Sequence, residues 1–215
     1  MTGLSGAILF LISFYATFNF FRLYVMDRKI FHFCMGTTAA FLALYGASAF
    51  LALFFPVLDP EFIGEWSTVF SVSFLLSAAA ALVRDFKPVF SRFPKSFTFL
   101  PLVLIFIYPM IIDTVVLKYW VLGLYQGSAL LIALLIYAYR TYENSDYAYM
   151  LIGVIFFAIT FLLYWIPESL FTLPEYAWML LTSSGILILT VGYNQAYNLD
   201  KHFLDQEKRK ETWFA

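Results

Sequence analysis

Seven apolar stretches, each about 20 residues long and separated by short charged connections, constrain the fold more than any other feature of this sequence. They predict membrane spans at 3–26, 31–55, 65–84, 97–113, 119–139, 147–166 and 174–198. Hydrophobic residues make up 62% of the 215 positions and charged residues 13%, too little polar surface to cover a water-soluble globule. The sequence therefore predicts an all-α, polytopic membrane protein, a bundle of seven transmembrane helices.

The first stretch is predicted to be a permanent span rather than a signal peptide. No basic segment precedes it, and it runs to Met26 without a small-residue cleavage site before Asp27. We expect one seven-helix domain over residues 1–199 and a short, charged, amphipathic cytoplasmic tail over residues 200–215. Leu199, Phe203 and Leu204 in that region suit a helix that continues or lies on the inner leaflet.

The basic residues are distributed very unevenly between the two sides of this predicted membrane. Twelve of the 13 lysine and arginine residues fall on one side, and Lys118 alone falls on the other. Lysine and arginine collect in cytoplasmic connections, so we predict an outside amino terminus and a cytoplasmic carboxyl terminus. Eight acidic residues lie on the inner side and six on the outer side, which leaves net charges of +4 and −5. The expected location is the inner (cell) membrane of a prokaryote.

Two sets of outer polar residues are candidates for a polar cavity or an acidic outer mouth. Glu65 and Thr68 share one face of the third span and Ser73 and Ser77 share another, an arrangement suited to an aqueous opening or to hydrogen bonds within the helix. The outer connections also contain acids that would attract cations if they converge, or would be solvated loop charges if they do not. These acids are Asp113, Glu168 and Glu175.

A second polar patch lies at the inner end of the last predicted span. Asn194 and Asn198 lie one turn apart on one helix face, with Gln195 beside them. The patch suits a bridge to another helix, a water-filled inner cavity or ordinary capping at the membrane interface.

Small and aromatic residues carry structural predictions. Gly36, Ala39 and Ala43 in the second span, and Ser73 and Ser77 in the third, predict close packing of these two helices. The tryptophans near the outer ends of the spans are predicted to anchor the protein at the membrane interface. They are Trp66, Trp120, Trp165 and Trp178. Pro101 and Pro109 predict a kink in the fourth span.

Enzymatic function is not expected, and neither is a cofactor or a metal. The chain has two histidines, His32 and His202, and one cysteine, Cys34, which is poor material for haem, zinc or hydrolase chemistry. Phosphate-binding, dinucleotide-binding and metalloprotease motifs are absent from the sequence. Microbial rhodopsins share the predicted topology, but the stretch 181–191 of the last span has no lysine for a retinal Schiff base.

These patterns favour a non-enzymatic membrane module for sensing and signal relay, or for interaction within a membrane complex. The alternative is a small-solute or cation transporter or channel with an acidic outer mouth. A second alternative is a lipid-modifying membrane enzyme, which would need Glu65, Asp113 or Glu168 in one pocket. Expected partners are membrane lipids and another membrane or cytoplasmic protein contacting the inner loops and tail; nucleic acid is not an expected partner.

Overall fold

Long apolar helices make up most of the chain. The computed structural model describes residues 2–55, 60–86, 88–110, 115–165 and 175–213, and within these ranges the side chains of all but 2, 60, 61, 88, 91, 115, 116, 175 and 197–213. The long helices are α1 (Thr2–Asp27), α2 (Ile30–Leu51), α3 (Pro60–Phe86), α6 (Val115–Glu143), α7 (Ala148–Trp165) and α8 (Glu175–Trp213). All six contain stretches long and apolar enough to cross a membrane. The all-α membrane bundle predicted from the sequence is confirmed.

Shorter elements lie between α3 and α6 and between α6 and α7. They are α4 (Pro88–Ser91), a 3₁₀ helix at Lys95–Leu102, α5 (Val103–Ile107), a second 3₁₀ turn at Tyr108–Met110 and, after α6, a third at Ser145–Tyr147. The continuous stretch Lys95–Met110 corresponds to the predicted fourth span and is called the 3₁₀ segment below.

The 3₁₀ segment takes a form that the sequence did not predict. Pro101 and Pro109 lack the N–H that an α-helical ladder requires, and the backbone around them follows the tighter 3₁₀ path instead of a kinked α-helix. A 3₁₀ helix rises further per residue than an α-helix, so this short segment reaches about 30 Å, the thickness of a bilayer's hydrocarbon core. Thr98, Pro101 and Leu104 are buried at every third position, as the 3₁₀ period requires.

Six helices form a closed ring in the order α1, α2, α3, α6, α7 and α8, and α8 packs back against α1. The 3₁₀ segment packs against α3. Its Tyr108 contacts the start of α3 through Trp66, with ring centroids 6.0 Å apart, so the segment runs the length of the bundle. Phe86 and Tyr139 meet 5.4 Å apart at the opposite end, where α3 and α6 finish.

Charge distinguishes the two ends of the ring. We call the end with Arg28, Lys29, Arg84 and Arg140 the basic end and the end with Glu65 the acidic end. The predicted orientation places the basic end in the cytoplasm. The last helix continues past the predicted span, through the tail region to Trp213.

The packing of α1 against α2 depends on a glycine. A Cβ atom added at Gly46 would lie 2.6 Å from the Phe10 backbone nitrogen and 2.7 Å from the Gly6 carbonyl oxygen. Only a residue without a side chain permits this approach, which supplies van der Waals contact where lipid offers no hydrophobic driving force. The packing of α2 on α3 predicted from small residues is also observed, with Thr38 Oγ1 3.4 Å from the Ser71 carbonyl oxygen.

The turn between α1 and α2 is short and strained at one residue. Arg28 has a φ of 57°, in the left-handed region that disfavours residues with a side chain. Asp27 supports the turn, because its carboxylate accepts a 3.0 Å hydrogen bond from the Lys29 backbone N–H and lies 2.9 Å from His32 Nδ1. This carboxylate therefore connects the end of α1 to the first turn of α2.

Candidate functional site

The helix ring encloses a cavity of about 840 Å³. Its lining includes Ala52, Glu65 and Trp178 near the acidic end and Phe20 and Met35 towards the basic end. Along α2 alone, the lining extends from Met35 to Ala52, about 25 Å of helix axis. The cavity thus extends from the acidic end through most of the depth of the bundle.

Five aromatic residues form a continuous row around the acidic end of the cavity, and we call this row the collar. Tyr45 lies 5.4 Å from Trp178, Trp178 5.6 Å from Tyr164, Tyr164 5.4 Å from Trp165, and Trp165 5.4 Å from Tyr119, all between ring centroids. All five line the cavity, and they come from α2, α8, α7 and α6. Neighbouring rings meet at angles of 57° to 84°, the tilted and edge-to-face geometry that aromatic pairs prefer.

A cluster of three residues, Glu65 from α3, Lys118 from α6 and Tyr108 from the 3₁₀ segment, also lies in the cavity lining. The Tyr108 hydroxyl donates a 2.6 Å hydrogen bond to Glu65 Oε1, and Lys118 Nζ lies 3.5 Å from the same oxygen. The Lys118 ammonium also lies 5.2 Å from the centre of the Tyr108 ring. The Glu65 side chain is 41% exposed and that of Lys118 is 22% exposed, so both are accessible from the cavity mouth.

Hydroxyl groups are the main polar groups deeper in the cavity. Apart from Thr182, the serines and threonines that line it each donate a proton to a carbonyl oxygen of their own helix, at 2.8 to 3.0 Å. These residues are Thr38, Ser48, Thr68, Ser71 and Thr160. Because each hydroxyl has one proton and two lone pairs, only acceptor capacity is left for a ligand.

Aromatic residues close the cavity towards the basic end, and we call them the floor. The Phe20 ring, which lines the cavity, lies 5.4 Å from the Tyr193 ring, and Tyr193 stacks on Phe31 at 5.2 Å. His32 lies edge-on to Tyr193 at 5.7 Å, and Tyr137 at 6.2 Å. The floor joins α1, α2, α6 and α8, so a change in the cavity can reach four helices at the basic end.

The predicted polar face of the third span divides into two parts. Glu65 and Thr68 line the cavity, whereas Ser73 and Ser77 are fully buried and are not part of its lining. Ser73 donates to the Val69 carbonyl oxygen at 2.7 Å, and Ser77 donates to that of Ser73 at 2.9 Å. The hydroxyls of these two serines are therefore hydrogen-bonded within α3, and their side chains are small.

The inner polar patch is also divided. Asn194 donates a 3.2 Å hydrogen bond to Asn19 Oδ1 and so bridges α8 to α1. Gln195 is exposed, and Asn198 lies in the helix with its side chain outside the described set. The cavity lining reaches neither Asn194 nor Ser73.

The other outer acids fall where the structure says nothing of their side chains. Asp113 and Glu168 lie outside the described residues, and Glu175 begins α8 with only its backbone described. Their convergence with Glu65 stays a prediction, and so does the lipid-modifying pocket that would need them. Among the described residues, no group of three or more histidine, cysteine, aspartate or glutamate side chains is placed to hold a metal ion.

Sequence reasoning missed most of the collar. Trp165 and Trp178 were predicted only as interface anchors, yet both line the cavity. Tyr45, Tyr119 and Tyr164 gave no signal, because each is one of 15 tyrosines in an aromatic-rich chain. Lys118 was the one available hint, as the single basic residue on the outer side of the predicted topology.

Comparisons of this chain with protein-family models, with curated proteins and with solved structures found no match. Arguments about function therefore rest on the cavity and the residues around it.

Proposed function

We propose that this protein is a sensory membrane module that binds a small molecule in its central cavity and relays occupancy to the basic end. The observation that supports this function best is the cavity itself, whose 840 Å³ lies within the range of small-molecule sites. Its lining is also of the usual kind, mostly apolar and aromatic side chains with a few polar groups.

The floor supplies a physical route for the relay. Phe20 contacts the cavity on one side and Tyr193 on the other, so a ligand that displaces Phe20 also moves the aromatic contacts of α8 and α2. Packed aromatic layers shift between discrete arrangements rather than deforming smoothly. A membrane or cytoplasmic partner at the basic end would detect this shift, and membrane lipids would surround the bundle.

A pair of tryptophan substitutions on α6 tests the binding function. Leu122 lines the cavity, whereas Leu124 on the same helix is 63% exposed on the bundle surface. We expect Leu122→Trp to remove small molecules that copurify with the wild-type protein in nanodiscs, as measured by solvent extraction and mass spectrometry. Leu124→Trp is expected to retain them, since it adds the same bulk outside the cavity. Equal retention by both variants, or no bound molecule in the wild-type protein, would contradict the proposal.

A label at the basic end tests the relay. Gln195→Cys in a Cys34→Ala background places a single fluorophore on the exposed face of α8, since Cys34 is the chain's only cysteine and is buried. Removal and return of the extracted molecules should change the fluorescence of this label. The same label in a Leu122→Trp protein should not respond. A response of equal size in that blocked protein would refute a relay from the cavity.

Transport is the second candidate, and the depth of the cavity favours it. The aromatic floor is the barrier observed between Phe20 and the basic end, so opening of that layer would connect the two sides. Against transport, the lining does not continue to Ser73 or Asn194 as a polar pathway would. Flux of potassium or an organic cation into proteoliposomes that falls in a Glu65→Gln variant would favour transport over sensing.

A further inference from the structure

Hydrogen-bond acceptors make up much of the polar lining of the cavity. Five of the six lining serine and threonine hydroxyls, all but Thr182, have given their protons to helix carbonyls and present lone pairs only. Glu65 adds a carboxylate that accepts from Tyr108. Donors are also present, because the Gln126 side-chain oxygen accepts from Trp165 Nε1 at 3.2 Å and leaves its amide N–H groups available, and the collar tyrosines carry phenolic hydroxyls. A ligand that carries hydrogen-bond donors therefore finds acceptors both at Glu65 and deeper in the cavity.

The collar has the same electrostatic preference. Aromatic faces carry partial negative charge, and cations within about 6 Å of a ring centre are attracted to them. Five such rings surround the acidic end of the cavity, and Glu65 lies in the same lining. The excess of acidic residues predicted for the outer face would repel anions and concentrate cations there.

The position of Lys118 indicates which chemical group binds beside Glu65 and Tyr108. Its primary ammonium lies 3.5 Å from Glu65 Oε1 and 5.2 Å from the centre of the Tyr108 ring, bound by both a carboxylate and an aromatic face. Lysine has a flexible four-carbon side chain, so its ammonium can move aside without a change in the backbone. The site formed by Glu65 and the Tyr108 ring therefore already binds an ammonium group of the protein itself.

We propose that the ligand of the cavity is an organic ammonium ion whose charged group replaces the Lys118 ammonium at Glu65 and whose apolar body lies between the collar rings. This inference rests on the proposed binding function and specifies the class of its ligand. The ammonium donates to Glu65 and to the lining hydroxyls, while the rings contact the hydrocarbon part. Lys118 then acts as a tethered competitor that occupies Glu65 when the cavity holds no ligand.

Three probes of the same shape separate charge from apolar contact. Phenethylammonium, phenethyl alcohol and hydrocinnamate share a phenyl ring on a short chain and differ in a positive, neutral or negative end. Binding is measured by calorimetry with protein in nanodiscs of zwitterionic lipid, with empty nanodiscs as the control for partition into the bilayer. We expect the ammonium probe to bind about tenfold more tightly than the alcohol, the effect of one charge-assisted hydrogen bond, and the anion to bind most weakly. Equal affinity for the three, or a preference for the anion, would overturn the proposal.

Two substitutions should change the affinity for the ammonium probe in opposite directions. Glu65→Gln removes the counter-charge and should weaken binding about tenfold. Lys118→Met retains the apolar chain but removes the competitor, and should strengthen binding severalfold. Leu124→Trp, a substitution on the exposed side of α6, is the control and should leave the affinity for the ammonium probe unchanged. Weaker binding in Lys118→Met would show that this lysine binds the ligand itself, and would refute the competitor role and the ammonium ligand together.

The outcomes also distinguish this inference from the proposed function. If Leu122→Trp removes copurifying molecules but phenethylammonium does not bind the wild-type protein, the cavity is a binding site for another class of ligand and the present inference is wrong. If phenethylammonium binds and Leu122→Trp leaves its affinity unchanged, the ammonium site lies outside the cavity and the present inference is wrong; the proposed function fails only if Leu122→Trp also retains the copurifying molecules. Thermal unfolding of each variant without probe establishes that the protein is folded in every comparison.

Discussion

Replacement of Gly46 by alanine tests the close backbone contact between α1 and α2. The added Cβ would lie 2.7 Å from the Gly6 carbonyl oxygen, about 0.7 Å closer than ordinary van der Waals contact, and even closer to the Phe10 backbone nitrogen. Both opposing atoms belong to the backbone of α1, so no side chain can rotate away. The α1 and α2 helices must separate, and overpacking of this kind costs about 1–3 kcal/mol.

The expected change in the free energy of unfolding depends on the unfolded state that the assay uses as its reference. In unfolding by sodium dodecyl sulfate from mixed micelles, we expect the helices to persist in the unfolded state, so the higher helix propensity of alanine contributes to both states and largely cancels. We therefore expect Gly46→Ala to lower the free energy of unfolding by about 2 kcal/mol.

Gly36→Ala on the same helix is the matched control. The three atoms nearest to its added Cβ would all belong to the Phe21 ring, at 3.3 to 3.4 Å, and that side chain can shift by a few tenths of an ångström. We expect a change below about 0.5 kcal/mol in this variant. If Gly46→Ala and Gly36→Ala lose the same free energy of unfolding, the close approach of α1 to α2 at Gly46 is wrong.

Three further predictions concern the turn at the basic end and the orientation of the bundle. Arg28→Gly should be about 1 kcal/mol more stable than Arg28→Ala in the same unfolding assay. Both variants lose the charge, but only glycine tolerates a φ of 57° without strain. Equal stabilities of the two variants would contradict backbone strain at this position. Asp27→Asn should lower the free energy of unfolding by about 1 kcal/mol, because it weakens the contacts with His32 and the Lys29 N–H. A control variant, Lys29→Gln, retains that N–H and should change stability by less than about 0.5 kcal/mol. A fluorescent protein fused to the carboxyl terminus should fluoresce in the cytoplasm, and alkaline phosphatase activity from the same fusion would reverse the predicted orientation.

The sequence predicted the helices of the bundle well because the relevant signals are local. A run of about 20 apolar residues must satisfy its own backbone in lipid, and the only single-segment solution is a helix. The predicted spans 3–26 and 147–166 lie within two residues of α1 and α7 at each end. The form of the 3₁₀ segment was less predictable, because a proline interrupts an α-helix without specifying what replaces it; here the segment packs against α3 and buries Thr98 and Leu104.

The chain by itself determined that this is a helical membrane protein, and its charges predict which end faces the cytoplasm. Only the tertiary structure decided where the candidate site lies. The collar brings Tyr45 from α2 against Trp178 from α8, and Glu65 from α3 meets Lys118 from α6, contacts that no linear spacing encodes. Hydrophobic length and charge are properties of each segment alone, whereas a cavity depends on which faces of the helices meet in the ring. Two tryptophans that are typical interface anchors in the sequence therefore line the central cavity of the folded protein.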